Sequence, residues 1–258
     1  MTDDHADLTN GRQPANLNHP REEKTARSRC RRRETLAAYR LSAVVAKPMM
    51  ATMPPEWKDR RRERDRRVLA GYVSGPAAPV EATARALAKA GTATALILVE
   101  GISDQIAVET AAHCRGRDLD AEHVTVVPIG GAHALGRVLG ELDTRVLAGL
   151  CDLREAGIFR RGLGPARTHV CVDDLEDELI RAVGTDVFAA LIDAQGDLGS
   201  FHALRSQPAW RDRSVDDQMR RFLTSGSRRK SRYARLLVEA AVDRDVLPRP
   251  LDDLLSNA

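Results

Sequence analysis

Aromatic residues are scarce in this chain of 258 residues, at two Trp, three Tyr and four Phe. A packed core must therefore come from Ala, Val, Leu and Ile. The four cysteines, Cys30, Cys114, Cys151 and Cys171, form no CxxC pair, and the seven histidines show no ligand-like pairing. That argues against a zinc site or a disulfide framework. Long hydrophobic runs are missing too: the stretch Ala95 to Val99 is far too short for a bilayer. The N-terminus is polar and basic, with no apolar stretch ending in a cleavage site, so the expectation is a cytoplasmic protein without a membrane segment. What is present, 43% hydrophobic and 30% charged residues, suits a soluble globular chain. The length accommodates one domain of about 160 to 190 residues with extra segments.

Net charge is only +3, and its distribution says more than its sign. Seven basic residues crowd into positions 21–33 and seven more into 58–67, with a mildly apolar stretch from Leu36 to Met53 between them. Such runs read as solvated or disordered chain, or as an exposed helix with i,i+4 pairs. The sharper alternative is a nucleic-acid-binding arm, since clustered Arg neutralises phosphates, although no interleaved aromatics offer base stacking. A third reading takes Met49, Met50 or Met53 as the natural start. Residues 1–75 are thus set apart as a basic N-terminal arm, disordered or helical.

From about Pro76 the pattern becomes regular. VEATARALAKAG predicts a helix closed by Gly91, and the unalternated run Ala95 to Val99 predicts a strand buried on both faces, as in a parallel sheet. A helix from Ser103, as its cap, to about Arg115 follows. HVTVVP, ending at Pro128, predicts a second strand, GGAHALGRVLGEL a turn and helix, and Arg145 to Cys151 a third strand ending at Asp152. A short fourth strand around Thr168 to Val172 precedes DDLEDELIRAVG, a helix capped by Asp173 or Asp174. Strands alternating with helices in this way predict βαβ units. Beyond Thr185 the pattern is mainly helical.

Glu100 and Asp152 each directly follow an apolar strand, so right-handed connections bring them to one sheet edge, where open α/β sheets bind ligands. Gly101 permits a sharp turn there. Carboxylates desolvated at one spot repel unless a cation neutralises them, and Mg²⁺ or Mn²⁺ prefers such oxygen ligands. Asp104, Glu155 and the DDLEDE group are the further candidate ligands. Asp104 equally suits the positive end of its own helix, and both readings stand at this point.

These residues resemble a known family. LILVEGISD is similar to the first motif of TOPRIM domains, and LAGLCDLRE occupies the place of their aspartate-rich second motif. Residues of about 84 to 252 resemble the TOPRIM half of OLD-family (overcoming lysogenization defect) nucleases, especially stand-alone actinobacterial proteins labelled TOPRIM nucleotidyl transferase/hydrolase or ATP-dependent endonuclease. VVPIGGA, QGDLGSFHALRSQPAW, QMRRFL, RKSRYARLL and LPRPLDDLL contribute to the likeness. The resemblance implies an α/β, Rossmann-like parallel-sheet TOPRIM core at 76–184, with a helical C-terminal extension at 185–258 packed on it. It implies Glu100 as metal ligand or general base, Asp104 as a second carboxylate, Asp152 as the first aspartate of the DxD motif, and Lys230 as a cation near the scissile phosphate. Arg154 departs from the pattern by standing where a second aspartate is expected, so that role passes to Glu155 or Glu176, or one metal site is lost. No GxxxxGK[ST] loop is present, so an ATPase activity would need a separate subunit.

The leading expectation is therefore a phosphodiesterase, an endonuclease acting on DNA or RNA. Glu100, Asp104, Asp152, Glu155 and Glu176 hold one or two Mg²⁺ (or Mn²⁺) ions, Lys230 assists catalysis, and Arg220, Arg221, Arg228, Arg229, Arg232 and Arg235 contact the nucleic-acid backbone. Primase-like nucleotidyl transfer is the enzymatic alternative, and a degenerate TOPRIM module that binds without turnover is the non-enzymatic one. Tyr233 invites a topoisomerase reading, but within RYARLL helical spacing favours packing. Oligomerisation stays open.

Overall fold

The computed structural model describes residues 56–142 and 146–257. The basic run at 21–33, the stretch 36–53 and the candidate starts Met49, Met50 and Met53 lie outside the described residues. The second basic run falls in a helix, α1 (Glu56–Val68), followed by α2 (Ala78–Ala90). The chain then alternates through β1 (Ala95–Val99), α3 (Ile102–Cys114), β2 (Val124–Pro128), α4 (Leu135–Glu141), β3 (Val146–Asp152), α5 (Ala156–Leu163) and β4 (Thr168–Cys171). Six helices follow among the described residues: α6 (Leu175–Val183), α7 (Thr185–Ala194), α8 (Leu198–Arg205), α9 (Val215–Thr224), α10 (Ser227–Val242) and α11 (Arg249–Asn257).

All four strands are parallel, in the order β2-β1-β3-β4. β1 is central, which is why its five residues are apolar without alternation and all are buried. Strand pleating sends Ala95, Ile97 and Val99 to one face and Leu96 and Leu98 to the other. The first face packs against α3, α6, α10 and α11 through Ala107, Leu179, Leu237 and Leu254. The second packs against α2, α4 and α5 through Ala86, Leu135 and Phe159. Fully burying Leu96 or Leu98 contributes about 1.5–3 kcal/mol each.

Two local devices set the position of the sheet's carboxyl edge. Gly149 on β3 has no Cβ because α5 lies directly over it: a Cβ there would stand 2.6 Å from Leu163 Cδ1 and 2.8 Å from Phe159 Cδ1. Its absence lets α5 close on the sheet. After β2, Gly130 and Gly131 take φ of +78° and +107°, a region L side chains rarely enter. That turn aims both backbone N–H groups at the Glu100 carbonyl, at 3.1 and 3.0 Å.

α1 is tied to the C-terminal helices. Arg232 on α10, fully buried, is ion-paired with Asp65 of α1 and with Asp197, and Arg235 Nη1 donates to the Val68 carbonyl at 2.9 Å. Tyr233 is buried beside Arg232, with its ring edge-on to Phe188 and Phe222. This corrects the expectation for Arg232: a guanidinium with no solvent exposure and two carboxylate partners has nothing to offer a nucleic-acid backbone. Helix α3 also begins one residue before the expected cap at Ser103, because the Asp104 carboxylate accepts the Gly101 N–H at 2.9 Å and makes Gly101 the cap position.

Candidate metal centre

β1 and β3 are neighbours, with Val99 opposite Leu150, so Glu100 leaves its strand beside Cys151 and Asp152. The Asp152 N–H donates to Glu100 Oε1 at 2.7 Å, which fixes the glutamate across the strand ends. The chain then turns: the Glu155 N–H donates to the Asp152 carbonyl at 3.1 Å, and Glu155 stands at the cap position of α5. Glu100, Asp152 and Glu155 thereby present ligand atoms that all lie within 4.8 Å of one another. No Lys or Arg among the described residues forms an ion pair with any of the three.

Burial pushes Glu100 up to about 7, with Asp104 and Glu155 adding to the rise, while the Asp152 N–H and Lys230 oppose it. Burial likewise pushes Asp152 up to about 8, reinforced by Glu100, Asp104, Asp174 and Glu176. Two ionised carboxylates this close repel by roughly 3 kcal/mol at an effective dielectric near 20. The cluster is thus under-compensated: it is complete as a set of hard oxygen donors and incomplete as a set of charges.

A second group stands against it. Glu176 in the first turn of α6 is 2% exposed; its Oε2 lies 3.1 Å from Lys230 Nζ in the first turn of α10, and its Oε1 is buried with no hydrogen-bond partner. Burial raises Glu176, against the pull of Lys230. Burial alone would lower Lys230, but Glu176 and Asp104 outweigh it and hold the ammonium protonated well above its ordinary range. Burial raises Asp104, opposed by Lys230 and by the Gly101 N–H. Asp174 caps α6 by accepting the Asp177 N–H at 2.7 Å and meets Arg220 at 3.3 Å.

The structure therefore brings Glu100, Asp152 and Glu155 together and sets Asp104 and Glu176 beside them around Lys230. Asp104 is at once a helix cap and a member of the acidic neighbourhood, so the two readings of it are not exclusive. At the expected second aspartate, Arg154 is exposed and makes no hydrogen bond or ion pair among the described residues; the carboxylate that joins the first two is Glu155, one residue on. Among the basic residues, Arg221 and Arg228 are exposed. Arg220 pairs with Asp173, Asp174 and Asp177, Arg229 lies 4.0 Å over the Phe222 ring, and Arg235 pairs with Glu239. The sequence reading missed the glycine pair that grips Glu100, although consecutive glycines directly after an apolar strand were its signal.

A family model described as overcoming lysogenization defect protein-like, TOPRIM domain, matches residues 92–150, the segment from the approach to β1 into β3. No curated protein matches the chain. Among solved structures, the C-terminal region of the Burkholderia pseudomallei OLD protein is similar at a TM-score of 0.48 and 17% identity, over 64% of this chain and 96% of that one. The C-terminal region of the Xanthomonas campestris pv. campestris OLD protein is similar at 0.48 and 18% identity, over 66% of this chain and 93% of that one. By the family match, residues 92–150 are similar to an OLD-like TOPRIM domain.

Proposed function

We propose that the chain is a divalent-metal-dependent phosphodiesterase that cleaves nucleic acid, DNA in the first instance, at the carboxyl edge of its sheet. The observation that carries this reading is the Glu100–Asp152–Glu155 cluster, three converging carboxylates that form no ion pair with a Lys or Arg among the described residues. Its donors are all oxygen, as Mg²⁺ or Mn²⁺ prefers, and the orphaned Glu176 Oε1 nearby is a buried acceptor still in need of a positive partner. When bound, such an ion supplies Lewis-acid polarisation of a phosphodiester and an acidified water.

The chain's own residues supply the rest. Asp152 orients Glu100 through its N–H, and the Gly130–Gly131 turn fixes the Glu100 backbone, so the cluster is rigid before substrate arrives. Lys230, held protonated by Glu176, offers an ammonium to the charge that develops on the phosphoryl oxygens. Glu176 therefore acts through Lys230, as a positioning residue. Glu155 completes the ligand set that Arg154 does not.

The test is incubation of purified protein with supercoiled plasmid and Mg²⁺ or Mn²⁺. Nicking by the wild type that disappears in Glu100→Gln supports the proposal. Nicking that persists in Glu100→Gln, or primer synthesis from nucleotides without nicking, overturns it.

A further inference from the structure

Large apolar side chains that stand in solvent are few among the described residues, and two of them border the carboxylate cluster: Leu153 at 56% exposure and Val172 at 57%. Their positions follow from the sheet. Asp152 pairs with Cys171 as the last rung between β3 and β4, and Leu153 and Val172 are the first residues beyond the two strands. Neither sits on a slack loop. The Val172 N–H donates to Glu178 Oε1 at 2.9 Å, and the turn that carries Leu153 is closed by the Glu155 and Ala156 N–H groups, bonded to the carbonyls of Asp152 and Leu153 at 3.1 and 3.4 Å. Directly beyond Leu153 comes Arg154, exposed and without a partner among the described residues.

The order of chemistry at this edge is carboxylate cluster, apolar pair, exposed guanidinium. Two side chains are too small for a protein interface, which needs on the order of 1,000 Å² of buried surface. They do suit one nucleotide, which has an apolar base face between phosphates. Apolar side chains are known to pack on or between bases, and a base can reach them only when it is not stacked inside a duplex.

We propose that Leu153 and Val172 form a base-packing shelf. It receives the base adjoining the phosphodiester held at Glu100, Asp152 and Glu155, with Arg154 on a flanking phosphate, and it makes single-stranded or locally opened nucleic acid the preferred substrate. This rests on the phosphodiesterase reading for the position of the scissile group.

Binding can be read without cleavage, by fluorescence anisotropy in Ca²⁺ with a short oligothymidylate and an abasic sugar–phosphate strand of the same length. The wild type binds the thymidylate about fivefold tighter, the worth of roughly 40 Å² of apolar surface withdrawn from water. Leu153→Ala/Val172→Ala binds both strands alike, at the abasic level, and Arg154→Ala weakens both alike. In Mg²⁺, the wild type cleaves single strands faster than duplex and the double variant loses that preference. Equal binding of the two strands by the wild type, binding of neither, or discrimination retained in the double variant overturns the shelf. So does a change in oligomeric state of the double variant by sedimentation, which assigns the pair to a contact between copies. Base discrimination in Ca²⁺ without any cleavage in Mg²⁺ supports the shelf and removes the hydrolytic reading; cleavage indifferent to the base does the reverse.

Discussion

Mild acid should strip a divalent ion from the Glu100–Asp152–Glu155 cluster at a pH where ordinary carboxylates would still hold it. Without an ion, Glu100 gives up its proton at about 7 and Asp152 at about 8. The Glu100 charge raises Asp152, while the Asp152 N–H holds Glu100 down, so the two titrations are linked. An ion binds the ionised forms, and at about pH 6 its arrival must expel close to two protons. Treating the pair as two such groups, affinity rises between about pH 6 and about pH 8 by two to three orders of magnitude, whereas carboxylates near their usual values of about 4 would change it by a few per cent. Titration calorimetry with Mn²⁺, repeated in buffers of different ionisation enthalpy, measures both the affinity and the protons released. The sign extends to stability. Because the folded state holds these protons more tightly than the unfolded chain, whose values are near 4.5 and 3.8, the stabilisation is full below those values and is lost as pH rises through 7 and 8. The ion-free protein therefore melts lower at about pH 8 than at about pH 5, and saturating Mn²⁺ raises the melting temperature more at the higher pH. An affinity that is flat across this interval, with no proton released, would mean that Glu100 and Asp152 are already ionised at about pH 6 or do not ligate the ion.

Other perturbations have equally definite outcomes. Lys230→Met removes the ammonium at the site and leaves Glu176 buried without its partner, so single-turnover cleavage should fall by about 10²–10³-fold; a change below about threefold would remove Lys230 from the chemistry. Asp197→Ala deprives the buried Arg232 of one carboxylate and the Tyr233 hydroxyl of its acceptor at 3.1 Å, and urea unfolding should show a loss of about 3–5 kcal/mol. Gly149→Ala drives a methyl into Phe159 and Leu163, costing about 1–3 kcal/mol and displacing the helix whose cap is Glu155. Wild-type stability in that variant would mean that α5 has room to withdraw.

Local signals were the legible part. Ala95 to Val99 reads as a doubly buried strand because its composition leaves no polar face, and the strand occupies those five residues. The pairing of Glu100 with Asp152 follows from two strand ends and the rule for parallel connections. What the sequence does not display is long-range charge balance. Arg232 lies among basic residues in RKSRYARLL and reads as surface, yet it shares the buried side of α10 with Tyr233, Ala234 and Leu237, and its partners are 35 and 167 positions away. Helical spacing placed Tyr233 in the core, and the same spacing applied to Arg232 was the available warning. The helix cap was missed because Ser103 is a strong capping residue by type, whereas here the Asp104 carboxylate reaches back to Gly101. Leu153 and Val172 carry no periodic signal, since their exposure depends on which strand ends lie side by side.

The proposed function stands on a divalent ion bound at the sheet's carboxyl edge. Anomalous diffraction from crystals grown with Mn²⁺ at about pH 8 tests it most directly. The expected result is a peak contacted by oxygens of Glu100, Asp152 and Glu155 at roughly 2.0–2.6 Å, and its loss in Glu100→Gln. A cluster without a peak at saturating Mn²⁺, or a peak held elsewhere while these three carboxylates stay uncoordinated, contradicts it.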